Sequence, residues 1–187
     1  MKNKLLGSLV TAASLLMMTG FPAAAADKNA TPSTDGQIVK QVRHEILMYP
    51  RFTVWDDISF RVNNGQVELL GAVTQPYKKD EIDNIVKQTP GVTSVTSEIK
   101  VLPLSDFDNR LRLQVARAIY SDPAFTQYAM MAIPPVHIIV DNGHVTLTGM
   151  VATDYEKQIA GMRANTAGLS FSVVNNLQVE HPTPKKS

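Results

Sequence analysis

The sequence predicts an α+β protein made of two tandem copies of one unit, each with two helices packed on a three-stranded sheet in the order α-β-β-α-β. Three observations predict it. The stretch NNGQVELLGAV at 63–73 returns as DNGHVTLTGMV at 141–151. DGQIVKQVRHEILMYPRF at 35–52 returns as DNRLRLQVARAIYSDPAF at 108–125, with apolar residues at helical spacing in both. Asn64-Gly65 and Asn142-Gly143 each stand between two runs of alternating apolar and polar residues, which marks a β-hairpin because both turn residues need positive φ.

The first residues lie outside the repeat. Lys2 and Lys4 make a short basic start, and Leu5 to Met18 is an uncharged apolar run. Gly20 and Pro22 break any helix, and Ala24-Ala25-Ala26 supplies the small residues that signal peptidase needs. Residues 1–26 therefore read as a cleavable secretory signal peptide, and the apolar run is short for a membrane span. The chain has no cysteine. No disulfide and no lipid-modified N-terminal cysteine are possible, so the expected product is periplasmic, not a lipoprotein, and held together by packing. Removal of the signal takes both of its lysines, so Lys+Arg falls from 18 to 16 against 17 acidic residues and the net charge becomes −1. There is then no global basic field to attract nucleic acid or anionic lipid, and an anionic partner has to be met locally.

The first unit is expected over 35–101. Ile38, Val42 and Ile46 form one helical stripe, as do Leu111, Val115 and Ile119 in the second unit. Asp35 and Asp108 are the expected N-caps, and Pro50 and Pro123 mark the exits. A two-residue turn sets the hairpin register. Val62 should face Val67, Phe60 should face Leu69, and Arg61 should face Glu68; in the second unit Val140 should face Val145 and Ile138 should face Leu147. Gly65 and Gly143 are the expected turn glycines, and Gly71 and Gly149 close the x-V-x-L-x-G strands. The second helix starts at Gln75-Pro76 in one copy and at the capping box Thr153-x-x-Glu156 in the other. Ile82, Ile85 and Val86 are its apolar stripe, and Pro90-Gly91 and Gly168 mark the two ends. Val95–Val101 and Val173–Val179 are the closing strands, with one extra residue expected before the second. The linker 102–107, LPLSDF, is apolar enough to predict that the units touch. The second unit is expected over 108–180, followed by a polar tail at 181–187.

The pairs Gly65-Gln66-Val67-Glu68-Leu69-Leu70-Gly71 and Gly143-His144-Val145-Thr146-Leu147-Thr148-Gly149, with Gly91-Val92-Thr93-Ser94-Val95 ahead of the first closing strand, carry a family resemblance. Behind a signal peptide, this arrangement resembles the BON family (bacterial OsmY and nodulation), in the tandem form of the osmotically inducible periplasmic protein Y group. The resemblance spans nearly all of the mature chain. It implies a non-enzymatic envelope protein tied to osmotic or membrane stress, with binding to phospholipid surfaces, and it carries over no catalytic residue.

The residues agree in offering no chemistry. No phosphate loop and no nucleophile elbow occur. His137 should face Thr148, four residues from His144, which sets the two histidines roughly 13 Å apart, too far for one metal ion. Asp56-Asp57 read as turn or capping residues, and Asp80, Glu81 and Asp83 as favourable charge near a helix start. No catalytic residue, cofactor or metal site is expected. Two apolar features stand out as candidate membrane or partner contacts. One is Trp55, the only tryptophan, in the loop before the first hairpin. The other is the matching loop of the second unit, longer by five residues within TQYAMMAIPP. Its Tyr128, Met130, Met131 and Ile133 show no helical or strand period, and Pro134-Pro135 argue against a central strand there. The expected partner is a phospholipid surface or envelope proteins, not nucleic acid, with no transmembrane segment in the mature chain. A chaperone-like or adaptor role is the alternative, and a small-ion or ligand sensor a weaker one.

Overall fold

A computed structural model describes residues 34–182; the signal peptide expected at 1–26 and the last five residues lie outside the described residues. The first repeat runs α1 (Asp35–Leu47), β1 (Asp57–Asn63), β2 (Gln66–Val73), α2 (Pro76–Lys87) and β3 (Ser94–Val101). The second runs α3 (Asp106–Tyr120), a 3-10 turn (Pro123–Phe125), α4 (Thr126–Ala129), β4 (Val136–Asp141), β5 (His144–Val151), α5 (Asp154–Thr166), β6 (Ser172–Asn175) and β7 (Gln178–Val179). Each sheet joins an antiparallel hairpin to a parallel closing strand, and the helix between them makes the crossover. The second sheet counts four strands rather than three because its closing strand is split into β6 and β7, both on β5.

Hydrophobic burial drives both repeats. Ile38, Val42 and Ile46 of α1 meet Val67, Leu69 and Val73 of β2 and Ile82 and Val86 of α2 in one core. Leu111, Val115 and Ile119 of α3 meet Ile138, Val140, Val145 and Leu147 in the other, with Phe125 fully enclosed. Each such side chain contributes roughly 1.5–3 kcal/mol when fully buried. The hairpin registers are those the alternation requires: Val62 pairs Val67, Phe60 pairs Leu69, Arg61 pairs Glu68, Val140 pairs Val145 and Ile138 pairs Leu147.

Several expectations are corrected. Asp35 and Asp108 do not cap their helices; Thr34 and Ser105 hold those positions. The two aspartates lie inside the first turn and reach across to the hairpin tips. Asn64 N–H and Gly65 N–H donate to Asp35 at 2.8 and 2.9 Å, and Asn142 N–H and Gly143 N–H donate to Asp108 at 3.0 and 2.8 Å. Asn64 and Asn142 have φ of 49° and 50°, and Gly65 and Gly143 have φ of 76° and 80°. Such turns aim two adjacent N–H groups at one point, and a carboxylate satisfies both. Ser105 starts α3 inside the stretch expected as linker. The extra residue before the second closing strand does not exist: Gln66 pairs Ser94 and His144 pairs Ser172 at the same sequence separation. Thr126–Ala129 is one helical turn, not aperiodic chain.

Asp108 is fully buried and Asp35 only half-buried, so the two clamps differ in weight. Asp108→Ala is expected to cost about 2–3 kcal/mol, because it strands N–H groups away from water, and Asp35→Ala about 1 kcal/mol. Urea unfolding of both variants checks this; equal losses would contradict it.

The repeats interlock through their equivalent helix-to-hairpin loops. Trp55 of the first loop packs on the second core, and Ile133 of the second loop packs on the first. Ile138 N–H donates to Val54 O at 2.8 Å, so the first loop covers the free edge of β4. The His137 ring lies 5.4 Å from the Phe52 ring, and its Nδ1 sits 2.6 Å from Asp56 O. Ala72, Leu102 and Ile139 form a small cluster between the sheets, and Lys100 pairs with Asp141 beside it.

Candidate contact surface

The buried polar groups hold the fold. Asp56 is fully buried and accepts from Thr53 N–H (2.9 Å), Thr74 N–H (2.9 Å) and Lys78 Nζ (2.6 Å). The second repeat satisfies the equivalent backbone donor differently. Ala152 N–H donates to Glu156 at 2.7 Å, and Tyr128 OH donates to the same carboxylate at 3.1 Å. Glu156 stands on α5 where Lys78 stands on α2, so the helix carries the acid in one copy and the base in the other. Burial pushes the Tyr128 hydroxyl above its usual range, the side effect of enclosing it under the loop. Burial likewise raises the Asp57 carboxyl at the junction of the repeats, opposed by the nearby His137 ring.

The structure separates the residues singled out from sequence. Tyr128, Ile133 and Trp55 turn inward: Tyr128 into the second core and the other two across the junction. Tyr128 is buried there, while Trp55 and Ile133 are partly buried and keep some exposed surface. Met130 and Met131 point outward at the end of α4. Gly71 and Gly149, at φ of 122° and 104°, lie against the backbone of the neighbouring strand. His137 and His144 serve different neighbours, Asp56 O and Ser172 Oγ. Among the described residues, no helix is long and apolar enough to cross a membrane.

A second exposed apolar group lies at the other end of the β4–β5 hairpin. Phe171 N–H donates to Gly143 O at 2.9 Å, as Thr93 N–H donates to Gly65 O at 2.8 Å in the first repeat. The backbone is the same, but the side chains differ. Phe171 replaces Thr93, Leu169 replaces Gly91, Phe107 replaces Thr34 and His144 replaces Gln66. Phe171 stacks on Phe107 with centroids 6.1 Å apart and meets His144 edge-on at 5.7 Å. Leu169 is nonetheless 84% exposed and Phe171 72% exposed. Arg110, Leu113 and Arg117 continue the exposed face of α3 from Phe107. The sequence held this signal in the differences between the repeats rather than in their similarities.

A profile of the BON domain matches residues 34–103 and again 108–181. Comparison with curated proteins finds no match. Among solved structures, CdsD, a structural protein of the type III secretion system of Chlamydia trachomatis, is similar at 18% identity, covering 78% of this chain and 93% of that chain with a TM-score of 0.26. The C-terminal domain of the same protein is similar at 16% identity, covering 76% and 96%, with a TM-score of 0.28. At these scores neither similarity bears on the function of this chain.

Proposed function

The chain belongs to the BON domain family, and from that premise we propose that it is a non-enzymatic periplasmic protein of envelope and osmotic stress that binds phospholipid membrane surfaces. Membership associates the chain with membrane- and envelope-related function. The observation that supports a lipid surface is the exposed apolar group of the second repeat, Phe107, Leu169 and Phe171, with exposed Arg110 and Arg117 further along α3, the helix that carries Phe107. Aromatic and leucine side chains enter the headgroup boundary while arginines meet lipid phosphates, which supplies the local attraction that a net charge of −1 does not. Insertion of Leu169 and Phe171 is worth roughly 3–6 kcal/mol before association costs, which suits weak, reversible attachment.

Co-sedimentation of the mature protein with anionic and with neutral liposomes tests this. Binding is expected on anionic vesicles, lost in Leu169→Ser/Phe171→Ser with an unchanged melting temperature. In Met130→Ser/Met131→Ser, the outward pair of the inserted loop, it should fall less. No sedimentation of the unaltered protein with either lipid refutes the reading. The export reading has its own check: N-terminal sequencing from a periplasmic extract is expected to begin near Asp27, and recovery only in the membrane with Met1 retained would overturn it.

The adaptor reading is favoured by one observation. β3 ends the first sheet as an eight-residue strand with no strand on its outer side among the described residues, whereas its counterpart is broken at Asn176-Leu177. An unbroken edge is the place where an extended segment of another protein can add a strand.

A further inference from the structure

We propose that Met130 and Met131 form a site of reversible oxidation by peroxides, on a fold whose core holds no methionine to be damaged. The five methionines among the described residues are Met48, Met130, Met131, Met150 and Met162. All lie at the surface, from 50% exposed at Met131 to 86% at Met130. That is opposite to the usual placement of methionine, which ranks among the most buried residue types. The cores here are built from isoleucine, valine, leucine, alanine, phenylalanine and tyrosine instead. The chain also has no cysteine, so no thiolate competes for an oxidant and the thioethers are its only sulfur.

Met130 and Met131 differ from the other three in being adjacent and in sitting on the five-residue insertion that the first repeat lacks. The backbone beneath them is anchored without their side chains. Met131 N–H donates to Tyr128 O at 3.0 Å, Tyr128 OH donates to Glu156 at 3.1 Å, and Ile133 is packed on the first core. The thioether sulfur attacks one oxygen of the peroxide. A sulfur–oxygen bond forms, the oxygen–oxygen bond breaks, and water leaves with the peroxide's two protons; sulfur loses two electrons and the peroxide gains them. The product sulfoxide is polar, so an apolar pair on the surface becomes a hydrophilic one while the packed interior is untouched. Methionine sulfoxide reductases reverse the step.

The test treats the mature protein with hydrogen peroxide and maps the gain of ~16 Da per sulfoxide by peptide mass spectrometry. Met130 is expected to oxidise within about threefold of the rate of free methionine, as an open thioether should. The melting temperature should stay unchanged, and retention on a hydrophobic-interaction column should fall. Reductase treatment should restore the retention. Met130→Leu/Met131→Leu should fold normally and show a smaller retention shift, the remainder coming from the exposed Met48, Met150 and Met162. Oxidation of Met130 ten times or more slower than free methionine, a lowered melting temperature on its oxidation, or an undiminished shift in the double variant would each overturn the proposal.

Discussion

Gly149→Ala is expected to unfold the second repeat. A Cβ at this position would lie 1.9 Å from Pro135 O, and φ is +104°, where an L-residue is strained whatever the space. The clash is with backbone, so no side chain can rotate away. Relief requires β4 and β5 to separate at Val136↔Gly149, where the chain enters β4 from the loop that carries Tyr128 and Ile133. The expected cost exceeds about 4 kcal/mol, a large share of the stability of a small domain. Gly71→Ala should do the same to the first repeat, since its Cβ would lie 2.0 Å from Asp57 O at φ +122°. Gly36→Ala is the control: nothing lies within 4 Å, and its φ is not among the positive ones. It should be neutral or stabilising by up to about 1 kcal/mol, because it lies in α1. Thermal and urea unfolding followed by near-UV circular dichroism read all three. A Gly149→Ala protein that melts within a few degrees of the unaltered one would mean that the strand pairing is wrong.

The second large effect is expected at Asp56. Its carboxylate is fully enclosed and binds Lys78 Nζ, two backbone N–H groups and the hydroxyls of Thr53 (2.6 Å) and Thr74 (3.0 Å). Asp56→Ala leaves the Lys78 ammonium buried without its counter-charge and is expected to cost about 3–5 kcal/mol. Lys78→Met leaves a carboxylate that still has four donors, and should cost less. The double variant Asp56→Ala/Lys78→Met should be more stable than Asp56→Ala alone, because the stranded cation is gone. Denaturant unfolding of the full cycle measures the coupling. A double variant that loses the sum of the two single losses would show that the pair is not coupled.

The two repeats also show how one backbone accepts different chemistry. The N–H after the second hairpin strand, Thr74 in one copy and Ala152 in the other, needs an acceptor in both. Asp56 supplies it from the loop in the first repeat. In the second the helix supplies it through Glu156, and the inserted loop covers that acid with Tyr128. The inserted loop is thus tied in by Tyr128 on the second core and Ile133 on the first, which leaves its two methionines outside.

By itself, the sequence determined the duplicated α+β architecture, the helix faces and the hairpin registers. These follow from local periodicity: apolar spacing of three to four residues for a helix, alternation for a strand, and Asn-Gly at a turn demanding positive φ. Ile38, Val42 and Ile46, or Val62 opposite Val67, needed no information from elsewhere in the chain. Only the tertiary structure decided what distant residues do for one another. Asp35 and Asp108 stand where a helix cap is plausible, yet they clamp the hairpins, because the tip lies beside the helix start and offers two unpaired N–H groups. Trp55 and Ile133 carry no period that says which core each joins, and they cross into the other repeat because each loop lies over its neighbour. Tyr128 and Met130 are two residues apart in one apolar segment, and composition cannot tell them apart. The difference arises because Glu156, on a helix twenty-eight residues away, offers the tyrosine hydroxyl a buried acceptor and offers the methionine nothing.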